Sequence, residues 1–523
     1  MAARSRSASL LVATGILLSR IAGLVRQRVF AHYFGQSAAA DAFNAAFRIP
    51  NFLQNLFGEG VLSASFIPVY SRLLAQGDEK QAGKVAGAIV SLLFLIVSGF
   101  VLGGLMLTPW LVQVIAPGFA GERRELTISL VQILFPGAGL LVLSAWCLGV
   151  LNSHRKFFLS YAAPVLWNAI MIGAMVLLGR SSTQESLAIS LAWASVIGSG
   201  AQFLIQLPFV LRLVRHLKLF GGWRESSTGT VLKNFVPVFF GRGVVQISAF
   251  IDSMLASFLP LGGVAAISYA QVIYTLPVSL FGMAVSAAEL PEMSSALGNA
   301  EEVAAKLRER LVRGLRKIAL MIVPSTIAFL ALGDVLAAAL YQTGKFTAED
   351  GRYVWLILAG SSVGLLASTL GRLYSSAWYA LGDTRRPFYF SCLRVVISTA
   401  IGFYGVKYGP QWLGVEARYG VLGITLGAAI GAWLEYSLLK RSMQKKIGLI
   451  DVPGSFFSRL FGAAIFAGLA GVLVHNSLPG EWHPVLRAAI ILPLFGGIYF
   501  FVATLFRVPE ARALLVRGKI LRS

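Results

Sequence analysis

The chain has 523 residues, of which 56% are hydrophobic and only 13% charged, and its mean hydropathy is +0.73. A soluble protein of this length carries about a quarter charged residues, so a water-facing globular enzyme is excluded. The net charge of +22 would suggest nucleic acid on a soluble protein, but in a membrane protein basic residues gather in the loops of one side. Cys147 and Cys392 both lie inside apolar runs, which leaves neither a disulfide framework nor a cysteine metal cluster. The five histidines are scattered, and neither HExxH nor a P-loop pattern occurs, so zinc hydrolysis and P-loop ATP chemistry lack their signatures.

A bilayer core of about 30 Å takes about 20 apolar residues per helix, and only helices or closed barrels satisfy their backbone there. The apolar runs are too long for barrel strands. In chain order they predict spans at 8–34, 41–75, 84–114, 126–152, 158–179, 186–212, 232–258, 264–296, 312–332, 352–381, 387–408, 419–440, 455–476 and 486–506. The fold class is therefore an all-α polytopic membrane protein with fourteen transmembrane helices. The first run carries Arg20, Arg26 and Arg28 and lacks a compact apolar region with a small-residue cleavage site, so it does not read as a cleaved signal peptide.

The loops on the side shared by both termini hold thirty basic residues and the opposite loops eight. This predicts cytoplasmic termini and accounts for the net charge with no nucleic-acid partner. Seven arginines remain inside spans: Arg20, Arg26, Arg28, Arg48, Arg242, Arg372 and Arg394. An arginine at bilayer depth costs about 2.5–3.5 kcal/mol on insertion scales and faces a wet cavity or a partner. Snorkelling from a helix end is the competing reading for Arg28, Arg48 and Arg394. Arg20, Arg26, Arg242 and Arg372 read as cavity-facing.

The two halves repeat. PVYSRLLAQGDEKQAGKVA from Pro68 aligns with PEMSSALGNAEEVAAKLRE from Pro291, VLNSHRKFF with YALGDTRRPF (Arg155 on Arg385), and GILLSRIAG with VFFGRGVVQ (Arg20 on Arg242). Each copy holds six spans, an even number, so the copies share a topology. Parallel repeats of this kind recur in transporters that bind substrate between rocking halves. The expected organisation is an N-lobe at 1–225, a C-lobe at 226–450, and two further spans with a basic tail at 451–523.

SRIAGLVRQRVFAHYFG, followed by ADAFNAAFRIPNFLQNLFGEGVLSASFIPVYS, resembles the opening of the MurJ/MviN family of lipid II flippases. APGF at 116–119, GVLNSHRKF at 149–157 and YQTGKFT at 341–347 agree with further signatures of that family. The resemblance runs from about residue 8 to 450. It implies the multidrug/oligosaccharidyl-lipid/polysaccharide (MOP) exporter fold, with two six-helix lobes and two extra helices shaping a groove for a lipid tail. It implies a transporter rather than an enzyme, moving undecaprenyl-pyrophosphate disaccharide-pentapeptide between leaflets for peptidoglycan synthesis and cell-wall biogenesis. The implied setting is the bacterial inner membrane, with lipid II and membrane lipid as partners and a monomeric chain. No cofactor is expected; a coupling ion or the membrane potential would reset the carrier.

Guanidinium groups suit a pyrophosphate because they bind it in a bidentate manner and stay charged when partly desolvated. Arg20 and Arg26 match cavity arginines of the family. Six residues apart, they fall on different faces of a continuous helix, so a bend at Gly23 is expected to aim both inward. Asp41 matches a position important in the family and equally reads as a helix N-cap. Glu59 matches an acidic position that needs a partner, an arginine being the natural candidate. The chain departs from the family where basic residues give way to Gln54 and Asn55, and where an acidic-arginine pair and a further acid give way to Gln271, Val272 and Thr275. Arg242 and Arg372 are expected to supply charge instead, and Arg48 is counted with the substrate-binding residues. Glu289 and Glu292, around Pro291, read either as a solvated helix end or as an ionic gate closing on a basic residue of the other lobe. Asp252 fits a family sodium ligand, but Ser398 and Gly402 replace expected partners, so Arg394 is offered as a tethered counter-charge.

The alternative within this fold is an exporter of another polyprenyl-linked glycan or of a drug. A polytopic glycosyltransferase would usually display a sizeable loop with a catalytic acid or histidine. Here Glu122, Glu125, Asp350, Glu416 and Glu481 lie in short loops and form no paired set.

Overall fold

The computed structural model describes residues 2–223, 225–295 and 299–513, which contain helices and no strand. The chain divides into two compact units, Met1–Ala265 and Ala266–Ser523. The first holds α1 (Ala2–Phe34), α2 (Ala38–Phe57), α3 (Glu59–Ala75), α4 (Glu79–Ile115), α5 (Gly121–Ser153), α6 (Phe157–Leu178), α7 (Gln184–Leu213) and α8 (Ser226–Ala256). Buried α5 packs against α2, α3, α4 and α7; α6 joins α1 to α7, and α8 lies on α2, α3 and α4. Short polar side chains start α2 and α4. Ser37 Oγ accepts from Ala40 N at 3.2 Å and Asp78 Oδ1 accepts from Gln81 N at 2.9 Å, satisfying first-turn donors that have no intrahelical partner.

The predicted second span is two helices. At Gly58 the backbone turns extended (φ −87°, ψ −153°), and a Cβ there would lie 2.0 Å from Gln54 O. Only a residue without a side chain fits this break.

Across the unit boundary runs α9 (Gly263–Pro277), followed by a π-helical stretch (Val278–Met283) and α10 (Ala284–Ser294). Pro277 and Pro291 thus sit in a span whose winding changes. Then come α11 (Ala300–Tyr341), α12 (Ala348–Ala380), α13 (Arg385–Lys407), α14 (Gly409–Leu413), a 3-10 turn (Ala417–Gly420), α15 (Val421–Ile447), α16 (Gly454–Ser477) and α17 (Pro484–Leu505). The centre of this unit is α11, on which α12, α16 and α17 pack, while α15 joins α12 to α13. Tyr499 of α17 is buried and donates to Leu320 O of α11 at 2.6 Å, so the last two helices dock on their own unit through a satisfied polar contact.

Every predicted span falls on helix. Among the described residues, eleven helical segments are long and apolar enough to cross a membrane. The eleven leave out α1, α2–α3 and α8. The Gly58 break leaves α3 only 17 residues long, shorter than one crossing, and α2 is too polar along its 20 residues.

The ends of α5 and α12 close by the same turn. Lys156 N donates to Leu151 O at 2.8 Å, and Asp383 N to Trp378 O at 3.0 Å. The left-handed residue is Arg155 (φ 60°) in one turn and Gly382 (φ 74°) in the other. Structurally, Arg155 therefore stands opposite Gly382, whereas the sequence alignment set it on Arg385.

Candidate functional site

Arg26 is the best-defined of the intramembrane arginines. It leaves α1 half-buried, with its guanidinium carbon 4.9 Å from the Trp167 ring centroid and 6.0 Å from that of Phe47. Its Nη1 lies 3.9 Å from Met171 Sδ, and its buried Nε has no hydrogen-bond partner. Trp167 is itself held by α7, donating from Nε1 to Ser195 O at 3.1 Å. Among the described side chains no carboxylate lies within ion-pair distance of Arg26. Three helices thus hold a cation on aromatic faces, where it keeps its charge and leaves donors for an incoming anion.

Arg20 does not join it. Through Gly23 α1 stays helical without interruption, and Arg20 is exposed. Gln54 is half-buried and Asn55 exposed at the end of α2. Farther up α2, Arg48 is half-buried and lies in the field of Asp252 on α8. Phe52 and Phe250, with ring centroids 4.9 Å apart, bring those two helices together. The side chains of Glu59 and Arg242 lie outside the described residues.

Asp41 is fully buried and does not cap α2, since Ser37 holds that position. Its Oδ2 accepts from Gly262 N at 2.8 Å and from Arg123 Nη1 at 3.3 Å, and its Oδ1 accepts from Ala265 N at 2.8 Å. The carboxylate stitches the start of α2 to the α8–α9 link and to α5.

In the second unit, Gln271 Nε2 donates to Thr275 Oγ1 at 3.1 Å on an exposed face of α9. Arg372 is exposed on α12 and makes no ion pair among the described residues. Glu289 is buried between Arg310 Nη1 at 3.5 Å and Lys317 Nζ at 3.6 Å, and Glu292 pairs with Arg310 Nη2 at 2.5 Å. Both acids therefore bond to α11 of their own unit. Arg394 pairs with Glu435 at 3.0 Å, and Ser391 donates to the same carboxylate at 2.6 Å. Glu435, a lone acid inside a predicted span, is the partner that sequence reading overlooked. Among the described residues, no group of three or more His, Cys, Asp or Glu side chains is placed to hold a metal.

The family model "Lipid II flippase MurJ" matches residues 30–492. The chain belongs to the MurJ family of lipid II flippases. A "Lipid II flippase MurJ" of Burkholderia cenocepacia is 32% identical over 510 residues, covering 94% of this chain and 96% of the relative. A "Probable lipid II flippase MurJ" of Aquifex aeolicus is 30% identical over 529 residues, covering 98% of each. The structure "Lipid II flippase MurJ, inward closed conformation" superposes with a TM-score of 0.75 at 23% identity, covering 97% of this chain and all of that one. An inward-facing multidrug resistance MATE transporter of the MOP superfamily gives 0.65 at 17% identity, over 84% of this chain and 98% of that one. The fold is that of MOP transporters, and MurJ membership makes this chain a transporter rather than an enzyme.

Proposed function

We propose that this chain is a lipid II flippase of the bacterial cytoplasmic membrane, with both termini cytoplasmic, moving undecaprenyl-pyrophosphate-linked peptidoglycan precursor from the inner to the outer leaflet by alternating access. The observation that carries the headgroup assignment is Arg26: a cation fixed on Trp167 and Phe47, with a buried Nε lacking an acceptor. A pyrophosphate oxygen supplies that acceptor, and the polyprenyl tail stays in lipid. Arg20, Arg48, Arg242 and Arg372 add positive charge along the path of the headgroup. Binding neutralises these cations, which lowers the repulsion opposing closure. The empty, positively charged carrier then returns with the membrane potential, at about 2.3 kcal/mol per charge per 100 mV, as a monomer and without a cofactor.

The test is rescue of a strain depleted of its own flippase, paired with an assay for lipid II in the outer leaflet. Charged hydrogen bonds are worth about 1.5–3 kcal/mol, so Arg26→Ala should weaken headgroup capture at least about tenfold and fail to rescue at normal protein levels. Arg26→Lys, which loses the planar stack, should rescue only partly. Full rescue and wild-type outer-leaflet lipid II with Arg26→Ala would overturn the assignment.

A further inference from the structure

The second unit holds a cavity of about 590 Å3 whose lining includes Asp334, Arg352, His475, Glu481, His483 and Arg487. It lies at the C-terminal end of α11, against the start of α12 and the turn between α16 and α17. Glu289 and Glu292 are bonded at the other end of α11, on Arg310 and Lys317. The cavity is thus separate from that ionic cluster.

Part of its charge is already committed. Asp334 Oδ2 is 3.3 Å from His475 Nε2, and Arg487 Nη2 donates to His475 O at 2.9 Å and lies 3.4 Å from its Nδ1. Arg487 Nε is buried without a hydrogen-bond partner, a costly state for a charged group. Arg352 is exposed and makes no ion pair among the described residues. His483 Nδ1 accepts from Val485 N at 3.3 Å, which puts its proton on Nε2 as a third donor. Glu481 and Asp334 are the carboxylates in the lining that oppose an anion here. Trp482, also in the lining, is 42% exposed; tryptophan marks the membrane–water boundary.

The backbone breaks beside the same cavity. Leu332 leaves helical geometry (φ −133°, ψ 17°), and Leu330 O accepts from Trp355 Nε1 at 3.0 Å. Interrupted helices at membrane depth line cavities, and in transporters they point to binding sites.

We propose that this cavity binds a phosphate group through Arg487 Nε, the Arg352 guanidinium and His483 Nε2, and that the phosphate belongs to a phospholipid headgroup of the leaflet at that end of the unit. Two guanidiniums match phosphate geometry. The site stands independently of the flippase reading, because none of its residues takes part in capturing the transported headgroup.

The test uses the full-length purified chain in detergent, with bound lipid counted by native mass spectrometry and stability read as Tm. Phosphatidylglycerol should bind and raise Tm, whereas diacylglycerol, which lacks the phosphate, should do neither. Arg352→Gln, at an exposed position, should cut bound phosphatidylglycerol at least threefold, and Glu481→Gln should increase it. Lys345→Gln removes an exposed charge outside the lining and should bind as wild type does. If inorganic phosphate alone gives the same Arg352-dependent rise in Tm, the phosphate site stands and its source is free phosphate. The proposal is overturned if diacylglycerol binds equally well, if Arg352→Gln and Arg487→Gln both bind phosphatidylglycerol as wild type does, or if neither phosphate source binds.

Discussion

Two buried charges in the first unit have opposite economies, and substitution separates them. Asp41 is saturated by two backbone N–H groups and Arg123, whereas Arg26 has aromatic faces and an unmet Nε. Removing one partner of a buried pair costs about 3–5 kcal/mol. Asp41→Ala should therefore lower Tm and membrane protein level sharply, while Arg26→Ala should leave both near wild type and remove transport. Trp167→Leu should impair transport less than Arg26→Ala does. It removes a stack worth about 1 kcal/mol, equivalent to about a fivefold loss of headgroup affinity, at nearly unchanged Tm. Arg26 was legible from the sequence because an arginine inside an apolar run stands out. Phe47 and Trp167 were not, since they are two of 45 phenylalanines and tryptophans and nothing local distinguishes them. The cap reading of Asp41 fails because Ser37 already holds that position, and nothing local in the sequence points to its distant donors.

At the scale of elements, hydropathy located each helical region but not the break that divides α2 from α3. The Gly58 break carries no hydropathy signal at all. It rests on the close approach of Gln54 O, so Gly58→Ala should force the α2–α3 junction open and lower Tm, measured in detergent. Gly99→Ala, where a Cβ meets nothing within 4 Å, should leave Tm unchanged or raise it slightly through better helix propensity. The Glu289 and Glu292 partners were out of reach for a related reason. A gate to the other lobe and a bond to the next helix use the same residue types, and only the packing of α10 on α11 decides between them.

For the whole molecule, the distribution of lysine and arginine predicts sidedness before any contact is known. In a chain freed of Cys147 and Cys392, a cysteine at Lys80 should react with a membrane-impermeant thiol reagent only after the cells are opened. A cysteine at Lys345 should react in intact cells. The reverse pattern would invert the topology. The Asp41 junction also sets a schedule for making this protein. Asp41 enters the membrane 221 and 224 residues ahead of its donors Gly262 and Ala265, but only 82 ahead of Arg123. At about 5–20 residues per second of synthesis, the backbone donors arrive roughly 11–45 s later and Arg123 roughly 4–16 s later. Arg123 is therefore the interim custodian of a carboxylate awaiting its permanent partners, and a nascent chain lacking it would carry an unattended charge through most of that interval.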